Sequence, residues 1–335
     1  MPPASHDPRD PHDPHDVRDP HDPHDPHDPH EVRDVRDPHD LRPQLPSPLV
    51  PVRDDRFERH GVRLLLKRDD LIHPDLPGNK WRKLAPNLRA AAGRPMLTFG
   101  GAYSNHLRAT AAAGRLLGFP TVGVVRGEEL ADRPLNPSLA QCAADGMHLH
   151  FVSRTDYRRR ADPDHLAALL PTTPFPDAYV VPEGGSNELA AQGCAELGEE
   201  LRGAADVVGV ACGTGGTLAG LAAGLGPGQR ALGVPVLKGG FLEAEVRALQ
   251  TSAFGAPTAS WALADGFHFG GYARTPPELH AFAEDFEERH GMEVERLYVA
   301  KLLYGLLTLT RRGEFAPGTR MAAVVTGRPW EAARS

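Results

Sequence analysis

The sequence predicts an α/β protein with mostly parallel β-sheets. From about Gln44 onward, β-rich apolar runs alternate with stretches rich in Ala and Leu, and Gly, Asp or Asn residues join them. The apolar runs are continuous rather than alternating, which is typical of strands covered on both faces. About eight such strands fit two sheets with a cleft more easily than one wide sheet.

The apolar runs predict strands, in chain order, at Arg63–Lys67, Met96–Phe99, Thr121–Val125, His148–Val152, Ala178–Val181, Val207–Ala211, Val234–Leu237 and Met321–Val325. Between them, helix-like spacing of Leu, Ala and Phe predicts helices at Trp81–Ala92, Asn105–Leu117, Asn187–Leu201, Thr217–Leu225 and Pro277–His290.

The charge and cysteine content exclude several classes of protein. The net charge of −7 comes entirely from residues 1–43, so the rest of the chain is neutral and does not indicate a nucleic-acid-binding protein. The three cysteines form no CxxC pair, which favours a reducing compartment and gives no structural zinc signature. There is no leader-like apolar segment and no run of 18 apolar residues, so we expect a cytoplasmic protein without a membrane span.

The N-terminal segment 1–43 repeats His-Asp-Pro or close variants and contains almost nothing apolar, so it cannot build a core and is expected to be disordered. Its prolines favour polyproline II, which would align His21, His24, His27 and His30 along one edge. Such a row could bind Zn²⁺ or Ni²⁺ weakly or respond to pH. The favoured explanation of the segment is a repeat expansion or a misplaced start without function, with metal binding and a pH response as the alternatives.

A glycine-rich segment, GTGGTLAG at Gly213–Gly220, joins a predicted strand to a predicted helix. Leu218 stands where a dinucleotide fingerprint needs its third glycine, and no GK[ST] motif occurs, so an NAD or ATP enzyme is disfavoured. The free backbone N–H groups of this segment could bind a phosphate. A tight turn with no ligand is the alternative.

A second junction, LTFGGAYSNH at 97–106, places Ser104 and Asn105 at a predicted helix start. Both residue types are ordinary N-caps. The alternative to capping is a second anion site, sized for a carboxylate. Two anion sites together would suit a phosphorylated cofactor and an amino or keto acid.

Two of the five lysines fall together in PGNKWRK at 77–83. The turn at Pro77 and Gly78 would place Lys80 at the positive end of a helix dipole, which favours a neutral amine. A neutral amine can form a Schiff base with an aldehyde, the attachment that pyridoxal phosphate requires. A lysine at a helix start is otherwise a solvated charge.

These segments together resemble the fold-type II pyridoxal-phosphate enzymes, specifically the 1-aminocyclopropane-1-carboxylate deaminase / D-cysteine desulfhydrase family. The resemblance runs from about Pro48 to Gly327 in the family's order. It rests on KRDDLIHPDLPGNKWRKL at 67–84, LTFGGAYSNH at 97–106, PEGGSN at 182–187, CGTGGTLAG at 212–220, FHFGGYA at 267–273 and LYVAKLLYG at 297–305.

The resemblance implies a tryptophan synthase β-like fold of two domains with the cofactor in the cleft between them, and a homodimer. The large, cofactor-binding domain would comprise residues 44–82 and 173–335, and the small domain residues 83–172.

The resemblance also implies roles for site residues. Lys80 would carry the cofactor, and the phosphate would lie on Gly213, Thr214, Gly215, Gly216 and Thr217. Asn105 would bind the phenolic oxygen of the cofactor and contact the substrate, while Ser104 and His106 would meet the substrate carboxylate. Tyr272 and Tyr298 would lie over cofactor and substrate, with core or interface packing as the alternative. The catalytic residues that the resemblance implies are Lys80, Ser104, Tyr272 and Tyr298.

Three positions depart from the family pattern. Val299 stands where the cyclopropane deaminases have Glu and the desulfhydrases commonly Thr, so a hydrogen-bond partner of the pyridine nitrogen is missing. Ala300 and Arg328 replace usual glycines.

The favoured hypothesis is therefore a pyridoxal-phosphate-dependent lyase that acts on a small amino acid, by β-elimination from D-cysteine or a related D-amino acid. The alternatives are 1-aminocyclopropane-1-carboxylate deamination to 2-oxobutyrate and ammonia, a cofactor-binding protein with little activity, and a metal-binding protein whose tail is the functional part.

Overall fold

Two β-sheets frame the protein, as the alternating sequence predicts. A computed structural model describes residues 37–258 and 260–329, which belong to one unit, Val35–Ser335. The histidine row of the tail lies outside the described residues.

The strands are β1 Leu49–Val52, β2 Arg63–Lys67, β3 Met96–Gly100, β4 Thr121–Arg126, β5 Met147–Val152, β6 Tyr179–Val181, β7 Val207–Cys212, β8 Arg230–Pro235, β9 Trp261–Leu263 and β10 Arg320–Val324. The α-helices are α1 Asp55–Glu58, α2 Asn79–Ala91, α3 Asn105–Leu117, α4 Pro137–Ala144, α5 Arg154–Arg158, α6 Pro163–Leu169, α7 Glu188–Glu200, α8 Gly216–Gly224, α9 Leu242–Phe254, α10 Pro277–His290 and α11 Val299–Arg311.

The larger sheet has six strands in the order β1-β2-β10-β7-β8-β9, and the smaller has four in the order β5-β4-β3-β6. All neighbouring strands run parallel except β1, which is antiparallel to β2. The parallel α/β fold of the prediction is therefore confirmed.

Both faces of the six-stranded sheet are covered, as the continuous apolar runs predict. In β10, Met321 and Ala323 pack toward α11, whereas Ala322 and Val324 pack toward α7 and α8 on the opposite face. The period of two along the strand assigns these residues to the two faces.

Each predicted strand overlaps an observed one, and β8 is displaced most, since it starts at Arg230 rather than Val234. Pairing with β7 extends β8 over residues whose side chains give no strand signal. Two short edge strands, β1 and β9, were not predicted; β1 contains Pro51, which is tolerated at an edge. Six helices were not predicted: α1, α4, α5, α6, α9 and α11.

The division into a large and a small domain stays a prediction, and two of its limits do not coincide with element boundaries. The limit between residues 82 and 83 falls inside the continuous helix α2. Strand β6, which the prediction assigns to the large domain, pairs with β3 in the four-stranded sheet. The chain therefore leaves the four-stranded sheet after Val181, and not at residue 173 as the predicted domain limit would have it.

No helix in the described ranges is both long and apolar enough to cross a membrane. The same residues contain no group of three His, Cys, Asp or Glu side chains placed to hold a metal ion.

Candidate active site

A cavity of about 1020 Å³ lies at the carboxyl ends of β3 and β7. Ligands of parallel α/β proteins bind outside the carboxyl ends of the strands. The predicted site residues that line this cavity are Lys80, Ser104, Asn105, His106, Gly213, Thr214, Gly215, Thr217, Tyr272 and Tyr298. Gly216, the first residue of α8, is adjacent to these residues but does not line the cavity. The structure thus brings together residues that the sequence separates by more than 200 positions.

Lys80 lies in the first turn of α2, immediately after a turn at Gly78. Gly78 has a φ of 67°, and a Cβ there would lie 1.8 Å from the carbonyl oxygen of Thr326, so only glycine fits. The Lys80 amine makes no hydrogen bond or ion pair with another described residue. Burial, with the charges of Lys83 and Arg108, lowers its pKa to about 7. The sequence analysis predicts a neutral amine because of the helix dipole, whereas in the structure burial is the main cause of the lowered pKa.

Lys83, one turn after Lys80, lies behind the glycine-rich loop. Its ammonium donates hydrogen bonds to the carbonyl oxygen of Gly184 (3.0 Å) and to Ser186 Oγ (2.9 Å). Ser186 Oγ in turn lies 2.5 Å from Thr214 Oγ1. Lys83 is 3% exposed, and burial lowers its pKa. Sequence reasoning assigned Lys83 no role, although its place three residues after Lys80 inside a matched motif was a usable signal.

The glycine-rich loop packs closely against Ser186 and Lys83 at Gly216. A Cβ on Gly216 would lie 2.7 Å from Ser186 Oγ and 3.2 Å from Lys83 Nζ. Gly215 adopts a φ of 81° at the N-cap of α8. Thr217 Oγ1 accepts a hydrogen bond from Asn79 Nδ2 at 2.9 Å, which ties the loop to α2. Backbone N–H groups, an ammonium and two hydroxyls therefore converge, as an anion requires.

The loop after β3 ends at the N-cap of α3. Ser104 caps the helix, because its Oγ accepts a hydrogen bond from the Leu107 amide at 3.3 Å. Asn105 Oδ1 accepts a hydrogen bond from the guanidinium of Arg108, which also donates to Ser138 Oγ at 2.7 Å. Both residues thus have a structural partner in addition to the ligand roles that the resemblance implies.

His106 is 1% exposed, and neither ring nitrogen has a hydrogen-bond partner among the described residues. Its ring lies against Gly185, where a Cβ would approach His106 Cε1 to 2.8 Å. Burial, followed by the charges of Lys80 and Lys83, holds the pKa of His106 well below 6.5, so the ring is neutral. Two unpaired buried nitrogens are costly without a ligand.

Tyr272 and Tyr298 form an edge-to-face pair, with ring centroids 6.1 Å apart. The Tyr298 ring lies 3.6 Å from the position of a Cβ on Gly213, and is therefore adjacent to the glycine-rich loop. Burial and the proximity of Tyr272 raise the pKa of Tyr298 well above 10, so its hydroxyl keeps its proton. Tyr272 is 39% exposed and lies at the rim.

Glu295 is a buried carboxylate in the cavity wall that the sequence analysis did not identify. It accepts backbone hydrogen bonds from Leu297 (2.7 Å), Tyr298 (2.7 Å) and Val299 (3.3 Å), and so caps α11. An acidic residue a few positions before an apolar run was the available signal.

The departures from the family pattern have different structural settings. The side chain of Val299 is 1% exposed in the apolar core beneath α11 and does not line the cavity. Arg328 lines the cavity and reaches Asp70 Oδ2 with its Nε at 3.2 Å. Its side chain is 54% exposed, so it has room at the rim.

Comparisons with known proteins agree with this geometry. A family model described as "Pyridoxal-phosphate dependent enzyme" matches residues 42–327. The bifunctional D-cysteine desulfhydrase/1-aminocyclopropane-1-carboxylate deaminase of Arabidopsis thaliana is 28% identical over 305 residues, covering 80% of this chain and 73% of the relative. A D-cysteine desulfhydrase of Yersinia pestis is 30% identical over 295 residues, covering 80% and 87%.

Among solved structures, one described as an ACC deaminase homologue superimposes with a TM-score of 0.72 at 25% identity, covering 84% of this chain and 89% of the other. A threonine deaminase isoform of Solanum lycopersicum, at 16% identity and a TM-score of 0.60, shares the fold.

Proposed function

The chain belongs to the pyridoxal-phosphate-dependent enzyme family, and on this premise we propose that it eliminates the β-substituent of a small amino acid, with D-cysteine as the favoured substrate. The observation that carries the proposal is the unpaired Lys80 amine, with a pKa of about 7, in the same cavity as the anion-binding loop at Gly213–Thr217. An aldehyde and a phosphate on one small molecule need these two features together.

The residues present fit pyridoxal phosphate. The missing Cβ of Gly216 leaves space beside the Lys83 ammonium, and the unpaired nitrogens of His106 lie in the same cavity. Lys83 and the backbone N–H groups of Gly213–Thr217 would hold the phosphate, and Lys80 would attach the aldehyde. When bound, the cofactor supplies a sink for the electron pair released as a bond at Cα breaks.

The chain's own groups position the substrate and move its protons. The neutral Lys80 amine can accept the proton from Cα at its Nζ. Tyr298 keeps its proton because its pKa is raised, so its hydroxyl can donate to the departing sulfur, with Tyr272 beside it. The backbone at Ser104 and Asn105 would bind the substrate carboxylate. The sum is D-cysteine plus water giving pyruvate, ammonia and hydrogen sulfide.

The test compares wild type with Lys80→Ala, using Lys238→Ala as the control because Lys238 is exposed and does not line the cavity. We expect a visible absorbance band in cofactor-loaded wild type and in Lys238→Ala that is lost in Lys80→Ala. D-cysteine, L-cysteine and 1-aminocyclopropane-1-carboxylate are then assayed separately for 2-oxo acid. Pyruvate from D-cysteine supports the proposal. Product from the cyclopropane alone would favour deamination, and a band without any product would favour a binding protein.

We further propose that the protein acts as a homodimer in the cytoplasm and that its N-terminal repeat binds Zn²⁺ or Ni²⁺ weakly. The family resemblance supports the dimer, and the three buried free cysteines are compatible with a reducing compartment. The three-residue period of the histidines supports the metal site. Light scattering tests the dimer, and calorimetric metal titration of the full chain against a chain lacking residues 1–43 tests the repeat.

A further inference from the structure

Arg126, the last residue of β4, points toward the predicted substrate loop. It is exposed and lines the cavity. Its Nη2 would lie 3.5 Å from a Cβ on Gly101, so the guanidinium is adjacent to the loop that leads to Ser104. Its charge also reaches Tyr272, since Arg108 and Arg126 both oppose the burial-driven rise in the pKa of that hydroxyl.

The guanidinium of Arg126 lies near the ring of Tyr157. Its central carbon lies 5.6 Å from the ring centroid of Tyr157, which is 3% exposed. The Tyr157 hydroxyl donates a 2.8 Å hydrogen bond to Glu183, and the ring packs edge-on against Phe99 at 6.3 Å. The guanidinium of Arg160 lies over the same ring at 5.0 Å, so Tyr157 contacts two cations, and the contact with Arg126 is made next to Gly101 in the cavity wall.

Three other arginines that line the cavity have ion-pair partners. These pairs are Arg154–Glu129 at 2.8 Å, Arg115–Asp145 at 2.7 Å and Arg328–Asp70 at 3.2 Å. A further lining arginine, Arg108, donates hydrogen bonds to Asn105 and Ser138. Arg126 makes no ion pair within residues 37–258 and 260–329. The cavity thus offers a cation that no carboxylate of the described residues neutralises.

We infer that Arg126 binds a second acidic group, carried on the β-substituent of the substrate. This inference rests on the proposed function, in which Lys83 serves the phosphate of the cofactor and the Ser104 loop serves the α-carboxylate. The planar guanidinium matches a carboxylate or sulfonate in a two-point contact. The substrate class is therefore β-substituted amino acids with an acidic side chain.

The reaction is the same elimination. The Cα–H and Cβ–S bonds break, sulfur leaves with the Cβ–S electron pair and takes up a proton, and water releases ammonia from the remaining three carbons. D-S-(carboxymethyl)cysteine plus water would give pyruvate, ammonia and mercaptoacetic acid. The isosteric amide, D-S-(carbamoylmethyl)cysteine, would give pyruvate, ammonia and mercaptoacetamide.

This acid and amide pair tests the inference in the cofactor-loaded enzyme. We expect wild type to prefer the acid by about 10-fold or more in kcat/KM, as a charge-assisted hydrogen bond provides. In Arg126→Gln the preference should fall to about one, while kcat/KM for the amide stays within about threefold. Arg154→Gln, which removes a rim cation that already has a carboxylate partner, should keep the preference. Raising the salt concentration should reduce it.

Equilibrium titrations that follow the visible spectrum of the bound cofactor give the same comparison without turnover. The inference is overturned if wild type shows no preference for the acid in either measurement. It is also overturned if Arg126→Gln lowers kcat/KM equally for both analogues, because Arg126 would then bind the α-carboxylate that both share. Failure of the proposed function is a distinct result, since D-cysteine and both analogues would then all give no 2-oxo acid.

Discussion

The ammonium nitrogen of Lys301 lies 3.0 Å from the carbonyl oxygen of Gly271, the residue before Tyr272. The same ammonium donates to the carbonyl oxygen of His268 at 3.2 Å, and Lys301 is 0% exposed. Lys301 is on α11, whose N-cap is Tyr298. One buried side chain therefore connects the loop that carries Tyr272 to the helix that carries Tyr298.

This connection predicts energetic coupling between Lys301 and Tyr272. Lys301→Met releases the loop and should lower kcat for D-cysteine by about 10-fold, whereas Tyr272→Phe should lower it by roughly 100-fold through loss of the hydroxyl. In the double variant the two losses should not multiply, because a released Tyr272 has already lost its function. Cofactor affinity should stay within about threefold of wild type. Multiplicative losses would show that Lys301 acts independently of Tyr272.

Lys83 should recognise the phosphate of the cofactor. Its ammonium is buried beside Gly216 and Ser186, so Lys83→Met should weaken pyridoxal phosphate binding by about 10- to 100-fold, the value of a charge-assisted hydrogen bond. At a pH where the Lys80 amine is neutral in both proteins, binding of pyridoxal, which lacks the phosphate, should change little. Fluorescence titration of the apoprotein with both compounds measures this, and Lys238→Met is the control. An equal loss for both compounds would contradict the assignment.

The pKa of Lys80 sets the pH dependence of cofactor uptake. The neutral amine is the nucleophile, and its pKa is about 7, so the rate of uptake by the apoprotein should rise with pH around a midpoint near 7 and level off above it. Stopped-flow absorbance between pH 5.5 and roughly 9 gives the profile. Because the charge of Lys83 contributes to the low value, Lys83→Met should move the midpoint upward. A wild-type rate that still rises without levelling off at the upper end of this range, as an amine with the ordinary lysine pKa of 10.5 would give, would contradict the assignment.

The sequence predicts those parts of the site that depend on local chemistry. Lys80 and the Gly213–Thr217 loop stand out because a helix start and a strand-to-helix turn each produce a local composition signal. The position of Lys83 in the same motif is a local signal, but its contact is not, because its partner Gly184 is 101 positions away in the chain. The contact of Lys301 with a carbonyl 33 positions upstream and that of Arg126 with Tyr157 are also not local. Tertiary contacts that recur at no fixed spacing leave no pattern in a single sequence.

The fold could likewise be predicted only where the sequence carries a local signal. Strands with continuous apolar runs are predicted because both faces are buried, whereas β1 and β9 lie at sheet edges and are only four and three residues long, too short to give a run. The extension of β8 to Arg230 depends on pairing with β7, which is a non-local effect.

Glu295 accepts a hydrogen bond from the backbone N–H of Tyr298. Substituting Glu295 should show two effects on stability, one from the lost backbone hydrogen bonds and one from the lost charge. Glu295→Ala leaves the N–H groups of Leu297, Tyr298 and Val299 without their acceptor, and should destabilise the apoprotein by about 1–3 kcal/mol at low pH, where Glu295 contributes most. Glu295→Gln does not titrate and keeps one acceptor oxygen, but its NH2 group cannot accept at the other position, so the charge is read from the pH dependence of the difference from wild type and not from its absolute size. Urea unfolding of wild type and both variants between pH 4 and roughly 8 separates the two.

Burial raises the pKa of Glu295 above 4.5, so the folded state binds this proton more tightly than the unfolded state does. The stability that this group contributes is therefore fully present below the unfolded value and is lost as pH rises through the folded pKa. Relative to Glu295→Gln, wild type should lose stability with rising pH and then level off. A relative gain with rising pH would instead show that the three backbone hydrogen bonds outweigh burial and hold the pKa below its ordinary value.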